Sequence, residues 1–323
     1  MKTVLTFSLV MSFLMCLVCP VQAEPIHVTS LQCEVTKNYP PCPTVKPLEF
    51  GLRQFYENGK CGYKDASGNV RIPAKFDRCL DNFHNGVAKV CMVAGQDKWG
   101  SKQYKCGFIG PDGVFVVEPK YERVFDFNDG LAAVQQDKLI GYIDKKGKVV
   151  IEPRFNRAWE FQDGLALVTY DYHSGSPKKG FIDTKGNIVL EVDAYNVRPF
   201  SDGLAMVQKG HKCGYINKKG ELVIPAKFKR ANDFNNGLAP VTLENPGQPD
   251  TLGYINKSGE FVIVFEPSSN VDSISSFDGE LARITFDCVD VEENGKKFRR
   301  CKSGCMNRSG QIVGNCISSS IYR

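Results

Sequence analysis

The sequence predicts an all-β fold built from tandem units, and three observations carry that prediction. A unit led by glycine recurs six times, from Gly62, Gly107, Gly141, Gly180, Gly214 and Gly253, at spacings of 45, 34, 39, 34 and 39 residues. That is the spacing of stacked or radially arranged supersecondary units. Every unit carries two hairpin signals, and no stretch of twelve residues combines helical spacing of apolar positions with freedom from Gly and Pro.

The first hairpin is typified by the run from Gly141-Tyr142-Ile143 through Asp144-Lys145-Lys146-Gly147 to Val149-Val150-Ile151. Its turn recurs at Asn217 to Gly220 and Asn256 to Gly259, where an Asp or Asn side chain can bond back to the backbone and Gly takes the left-handed position. The second hairpin reads Phe161-Gln162-Asp163-Gly164-Leu165-Ala166, with relatives from Phe83, Phe127, Phe200 and Phe234 and a variant at Phe277-Asp278-Gly279-Glu280. Asp-Gly or Asn-Gly between apolar residues is the strongest short hairpin signal. Pro73, Pro119, Pro153 and Pro225 read as a bend joining the two hairpins of a unit, about four short strands in all.

Two aromatic columns read as the core shared between units. One is Tyr63, Phe108, Tyr142, Phe181, Tyr215 and Tyr254; the other is Phe76, Tyr121, Phe155, Tyr195 and Phe228. A sugar-stacking surface is the alternative reading of both. Ala88, Ala132, Ala166, Ala205, Ala239 and Ala282 form an always-small slot that implies close approach of a neighbouring sheet. The next slot holds Lys89, Ala133, Leu167, Met206, Pro240 and Arg283, and this variety points to solvent or a loose edge.

The array has partial ends. Gly51-Leu52-Arg53-Gln54-Phe55 matches the back half of a unit, and Gly304 to Val313 matches a front half. Joined as one unit they would close a propeller-like ring and remove exposed edges, which favours a ring over an open β-solenoid or stacked hairpin array.

The organisation expected along the 323 residues is a signal peptide at 1–23, a cysteine-containing segment at 24–50, the repeats at 51–313 and a tail at 314–323. No other run is long and apolar enough to suggest a membrane span. The formal charge of +5 is spread along the chain, so nucleic acid is a poor partner. Of 13 cysteines, Cys16 and Cys19 leave with the signal, and an exported chain pairs the rest. The bridges expected are Cys33–Cys42, Cys79–Cys91 and Cys288–Cys301, with Cys91–Cys106 competing; Cys61, Cys213, Cys305 and Cys316 have no assigned partner, and the odd total leaves one thiol over.

The motifs Gly-[Tyr/Phe]-Ile-[Asp/Asn] and Phe-x-[Asp/Asn]-Gly-Leu-Ala-x-Val resemble the WG, or KWG, repeat family of bacterial exported and surface proteins. The likeness runs from about Gly51 to Val313 and implies a β-repeat scaffold with an interaction role and no catalytic residues. The family's Trp is missing from the aligned slots, and Lys98-Trp99-Gly100 falls in a long loop.

Chemistry is sparse. His27, His84, His173 and His211 lack a carboxylate partner at an informative spacing, and there is no phosphate loop, dinucleotide fingerprint or zinc-protease helix. No catalytic residue, metal or cofactor is expected. Asp129, Asp163, Asp202 and Asp278 recur at a turn that accounts for them, too sparsely for a calcium cage. Lys145, Lys146, Lys185, Lys218, Lys219, Lys257 and Arg308 should emerge on one basic rim. The leading expectation is a non-enzymatic, exported (periplasmic, cell-surface or secreted) protein presenting a surface to a protein or cell-envelope partner. A glycan-binding or glycan-acting protein and a structural spacer are the alternatives.

Overall fold

The structure is a computed structural model that describes residues 24–31, 48–171, 177–293, 296–313 and 317–322. The signal segment, Cys33, Cys42, His173 and Cys316 lie outside the described residues. Among the described residues the regular structure is strand, apart from short 3-10 turns.

After β1 (Ile26–Val28), small antiparallel sheets follow one another along the chain. The first holds β2 (Arg53–Glu57), β3 (Lys60–Lys64) and β4 (Val70–Phe76). The second holds β5 (Arg78–Cys79), β6 (Ala88–Gln96), β7 (Lys102–Ile109) and β8 (Phe115–Tyr121). The third holds β9 (Arg123–Asn128), β10 (Leu131–Gln136), β11 (Leu139–Asp144) and β12 (Val149–Phe155). The fourth holds β13 (Arg157–Ala158), β14 (Ala166–Tyr170), β15 (Lys178–Ile182) and β16 (Ile188–Glu191). The fifth runs through β17 (Asn196–Val197), β18 (Ala205–Lys209) and β19 (Lys212–Ile216) into β20 (Leu222–Ala231). β20 continues into the sixth sheet, with β21 (Ala239–Leu243), β22 (Thr251–Ile255) and β23 (Phe261–Phe265). The last is β24 (Val271–Ile274), β25 (Leu281–Glu293), β26 (Lys296–Asn307) and β27 (Ile317–Tyr322).

The sequence unit and the sheet are out of phase by two strands. Gly141 to Phe155 supplies the third and fourth strands of one sheet, and Arg157 to Tyr170 the first and second of the next. The prolines are therefore not bends between hairpins. They lie within the fourth strand at a bulge: Cys61 faces Phe76 and Tyr63 faces Ile72, so four steps on β4 span two on β3. In β4, β8 and β12 that strand ends its sheet, where a missing amide costs no ladder bond.

The bulge explains the leading glycine. A Cβ on Gly141 would lie 2.4 Å from the Ile151 carbonyl oxygen, and one on Gly62 would lie 2.3 Å from that of Ile72. Only a residue without a side chain lets the fourth strand cross there.

The apolar core sits between consecutive sheets. Tyr142, Ile151 and Phe155 of the third sheet pack on Phe161, Ala166, Val168 and Ile182 of the fourth. The first aromatic column is fully buried, and each ring meets the Phe that opens the next sheet's turn, as in Tyr142 with Phe161 at 4.8 Å and Phe181 with Phe200 at 4.5 Å. Its faces are not open to a sugar. The tyrosines also donate to a neighbouring-sheet carbonyl, Tyr142 to Trp159 at 2.7 Å and Tyr215 to Asn232 at 2.6 Å. Burial pushes these hydroxyls well above the usual tyrosine range, so they remain donors.

Several expectations need correction. Tyr195 is 80 % exposed, unlike the buried Phe76, Tyr121, Phe155 and Phe228 of its column. The variable slot is mostly interior, with Ala133, Leu167, Met206 and Pro240 buried and Arg283 exposed. It tolerates different sizes because the neighbouring sheet differs at each junction. The two terminal half units do not share a sheet: β2 pairs with β3, and the strand containing Gly304 pairs with β25 and β27. Ile317–Tyr322, read as a tail, is the fourth strand of the last sheet.

Cys79 bonds Cys61 rather than Cys91, and Cys91 bonds Cys106. Cys91 and Cys106 face each other on β6 and β7, with Cα atoms 4.0 Å apart. Cys61–Cys79 joins the first sheet to the second, a contact that hairpin symmetry within one sheet does not reveal. Cys288–Cys301 forms as expected, Cys305 is also disulfide-bonded, and among the described residues the free thiol is the buried Cys213.

Candidate interaction rim

In an antiparallel four-strand meander the first and third turns lie at the same end of the sheet. Both repeated turns therefore share one rim. At the first, Asp163 and Gly164 take φ of 56° and 80°, and Asn85, Asp129, Asp202 and Asn236 occupy the same left-handed position. Phe50, at φ 58°, does so ahead of Gly51 where the first sheet lacks its first strand.

These turns are bonded to one another in series. Gly164 N–H donates to Asp129 Oδ2 at 2.8 Å, Gly203 to Asp163 at 2.7 Å and Gly237 to Asp202 at 2.6 Å. Glu49 begins the series by accepting from the amides of Asn85 and Gly86. Asp129, Asp163 and Asp202 thus do more than shape their own turns: each fastens the turn of the following sheet.

At the second set, Asp144 Oδ1 accepts from the amides of Lys146 and Lys148, both at 2.9 Å. Asp183, Asn217, Asn256 and Asn307 repeat that arrangement, which is the side-chain-to-backbone turn the sequence predicts. The basic residues divide into two groups. Lys145 Nζ donates to the Asn85 carbonyl at 3.1 Å, Lys218 Nζ to that of Asp163, and Arg308 to that of Asn236 at 2.7 Å, each bracing a turn of the preceding sheet. Lys146, Lys185, Lys219 and Lys257 are exposed on the turns. Asn256 of Asn256-Lys257-Ser258 and Asn307 of Asn307-Arg308-Ser309 spend their side-chain oxygens on these turns.

Beneath the rim lies a charged cluster that the repeat pattern hid. Lys89 Nζ meets Asp81 at 2.8 Å and Asp126 at 2.5 Å, while Glu160 accepts from Asn128 at 2.7 Å, so the group ties the second, third and fourth sheets. Burial pushes the Asp81 carboxyl up despite Lys89, and burial with the nearby Asp126 pushes Glu160 up. Burial opposes the charge on Lys89, but its bonds to Asp126 and Asp81 outweigh that and hold the ammonium above its usual range. The available signal was an acid just before the turn Phe, at Asp126, Glu160 and again Asp233, which pairs with Arg198 at 2.8 Å.

Lys89→Met should expose this arrangement. At pH 8 the two aspartates would face each other without a cation, at a cost of about 1–3 kcal/mol, below the value for fully buried pairs because these side chains are partly exposed. Without the cation the Asp81 carboxyl, already pushed up by burial, would rise further above its unfolded value, so the variant's deficit should be small below the carboxylate range and grow as pH rises through it. Urea unfolding at pH 4 and pH 8 measures the difference. Equal deficits at both pH values would contradict the assignment.

Against known proteins, the model of the WG containing repeat matches residues 62–92, 107–139, 140–172, 180–213 and 214–245. The chain belongs to that family. No curated protein sequence matches it. Among solved structures, a eukaryotic initiation factor aligns with a TM-score of 0.51 at 10% identity, covering 91% of each chain. A TolB-like protein from Agrobacterium tumefaciens aligns at 0.35 and 12% identity over 65% of this chain and 84% of its own, and a puromycin hydrolase at 0.39 and 11% over 82% and 49%. The first likeness supports a propeller-like succession of small sheets.

Proposed function

We propose that the chain is a non-enzymatic, exported scaffold whose turn-bearing rim binds an acidic protein or cell-envelope partner. The observation that carries this reading is the set of exposed Lys146, Lys185, Lys219 and Lys257 on turns fixed by side-chain-to-backbone bonds. Preorganised charges on one face attract an acidic partner without an ordering cost at each turn. The Cys61–Cys79, Cys91–Cys106 and Cys288–Cys301 bridges support residence in an oxidising compartment. Burial of the recurrent aromatic rings weighs against the glycan reading. A closed ring is the arrangement we favour, because the first sheet lacks its first strand and a closing contact with the last sheet would cover that edge.

Immobilised protein exposed to envelope extract should retain a partner that elutes with salt. Replacing the four exposed lysines by glutamate should weaken capture by roughly tenfold or more, because each reversal turns an attraction into a repulsion. Undiminished capture by that variant would remove the rim from consideration.

A further inference from the structure

The fourth strands of the repeat copies differ in one respect that bears on what they can bind. Pro73, Pro119, Pro153 and Pro225 interrupt four of them, whereas Ile188-Val189-Leu190-Glu191-Val192 and Phe261-Val262-Ile263-Val264-Phe265 have none. One of the two uninterrupted strands is already covered. The segment Ile26–Val28 pairs in parallel with β23, with Ile26 facing Ile263, His27 facing Val264 and Val28 facing Phe265. Val264 stands at the slot that Pro73 and Pro225 fill elsewhere. His27 Nδ1 lies 2.6 Å from Glu266 Oε1, which fixes the added strand lengthwise.

β16 ends the fourth sheet. Aligned on the bulge, Leu190 matches Ile263, Glu191 matches Val264 and Asp193 matches Glu266. Ile188 and Val189 are 42 % and 51 % exposed, Tyr195 is 80 % exposed, and Asp193 is exposed as well. The edge therefore has three of the features seen under the added strand: no proline, apolar side chains, and a carboxylate three residues past the matched core position.

We propose that β16 is a docking edge for an extended segment of a partner protein with the pattern apolar–basic–apolar, which adds in parallel and sets its basic side chain on Asp193. Main-chain bonds to the edge supply affinity and the alternate side chains supply specificity. The charge complementarity follows from the His27–Glu266 pair, since the incoming basic residue would face Glu191 as His27 faces Val264. β27 is also a proline-free edge, but its middle is Ser318-Ser319-Ser320, without the apolar residues. The proposal rests on the reading of the chain as a binding scaffold and is independent of the lysine rim.

The test uses the whole protein and a labelled peptide of residues 24–31 as the probe, followed by fluorescence anisotropy. Saturable one-site binding is expected. Glu191→Pro and Asp193→Lys should each weaken it by roughly tenfold or more. Glu191→Pro places proline where two sister strands carry it, and Asp193→Lys changes an exposed position, so one variant tests the proposal if the other misfolds. A probe with Asp in place of its His should bind Asp193→Lys better than the native protein.

No saturable binding, or binding by both variants as tight as by the native protein, would overturn the proposal. So would loss of binding only in Val264→Pro, which would mean exchange at the sixth sheet. Native dimers dissolved by Glu191→Pro would make the occupant a second copy and also overturn it. The glutamate-substituted rim should still bind the probe, so failure here is separable from failure of the rim.

Discussion

Ala231→Cys should close a fourth defined bridge by bonding Cys213, the free thiol, and thiol titration of the unfolded variant should then find one fewer reactive group than in the native chain. The unit from Gly62 reads Cys61-Gly62 and Phe76-Asp77-Arg78-Cys79; the unit from Gly214 reads Cys213-Gly214 and Phe228-Lys229-Arg230-Ala231. The registers agree: Cys61 faces Phe76, and Cys213 faces Phe228. Cys79 and Ala231 follow at the same place on the next sheet's first strand, opposite Val90 and Val241. Cys61 and Cys79 have Cα atoms 6.0 Å apart at a sequence separation of 18, and the same interval separates positions 213 and 231. Ala231 and Cys213 are both buried in one cluster, so the new sulfur would find its partner inside. Closing a loop of this length stabilises by up to about 3 kcal/mol. Urea unfolding with and without reductant would measure it. A thiol that stays free would show that the fifth and sixth sheets meet differently from the first and second.

Gly141→Ala should act in the opposite direction. Its Cβ would fall 2.4 Å from the Ile151 oxygen and 2.6 Å from the Pro153 nitrogen, both backbone atoms of the fourth strand. Side chains can rotate away, but a bulged strand held by its ladder cannot do so cheaply. The loss should be about 3 kcal/mol, the upper end for overpacking. Gly164→Ala gives the contrast: its φ is 80° but nothing lies within 4 Å of the added carbon, so only backbone strain of about 1 kcal/mol is expected. Thermal unfolding of both variants checks the ranking. Similar losses would mean that the clash at Gly141 is relieved by movement of the bulge.

The contrast between these glycines also shows what was legible in the sequence. Asp163-Gly164 and Asp144 to Gly147 announce their turns because the required backbone angles and side-chain bonds are local. The buried aromatic column was legible because period and chemistry coincide. What stayed hidden depends on contacts between sheets. Cys61–Cys79 crosses from one sheet to the next, Lys89 gathers carboxylates from neighbours, and β1 joins a strand 237 positions away, from Ile26 to Ile263. Pro153 looked like a corner because a missing amide signals the end of pairing. It does not say whether the pairing stops along the strand or to one side of it. The basic rim was half legible: the turns share an end of the sheets, but the bonds from Lys145, Lys218 and Arg308 to earlier turns follow only from the packing.

The two-strand offset between unit and sheet has a consequence for how such chains change length. Each unit finishes one sheet and starts the following one, so it works like an overlapping tile, and no tile boundary coincides with a structural joint. A genetic exchange that inserts or removes a whole unit would leave every seam of the same kind as before. Cutting the gene at the edge of a sheet would instead leave a half-tile at each side of the cut.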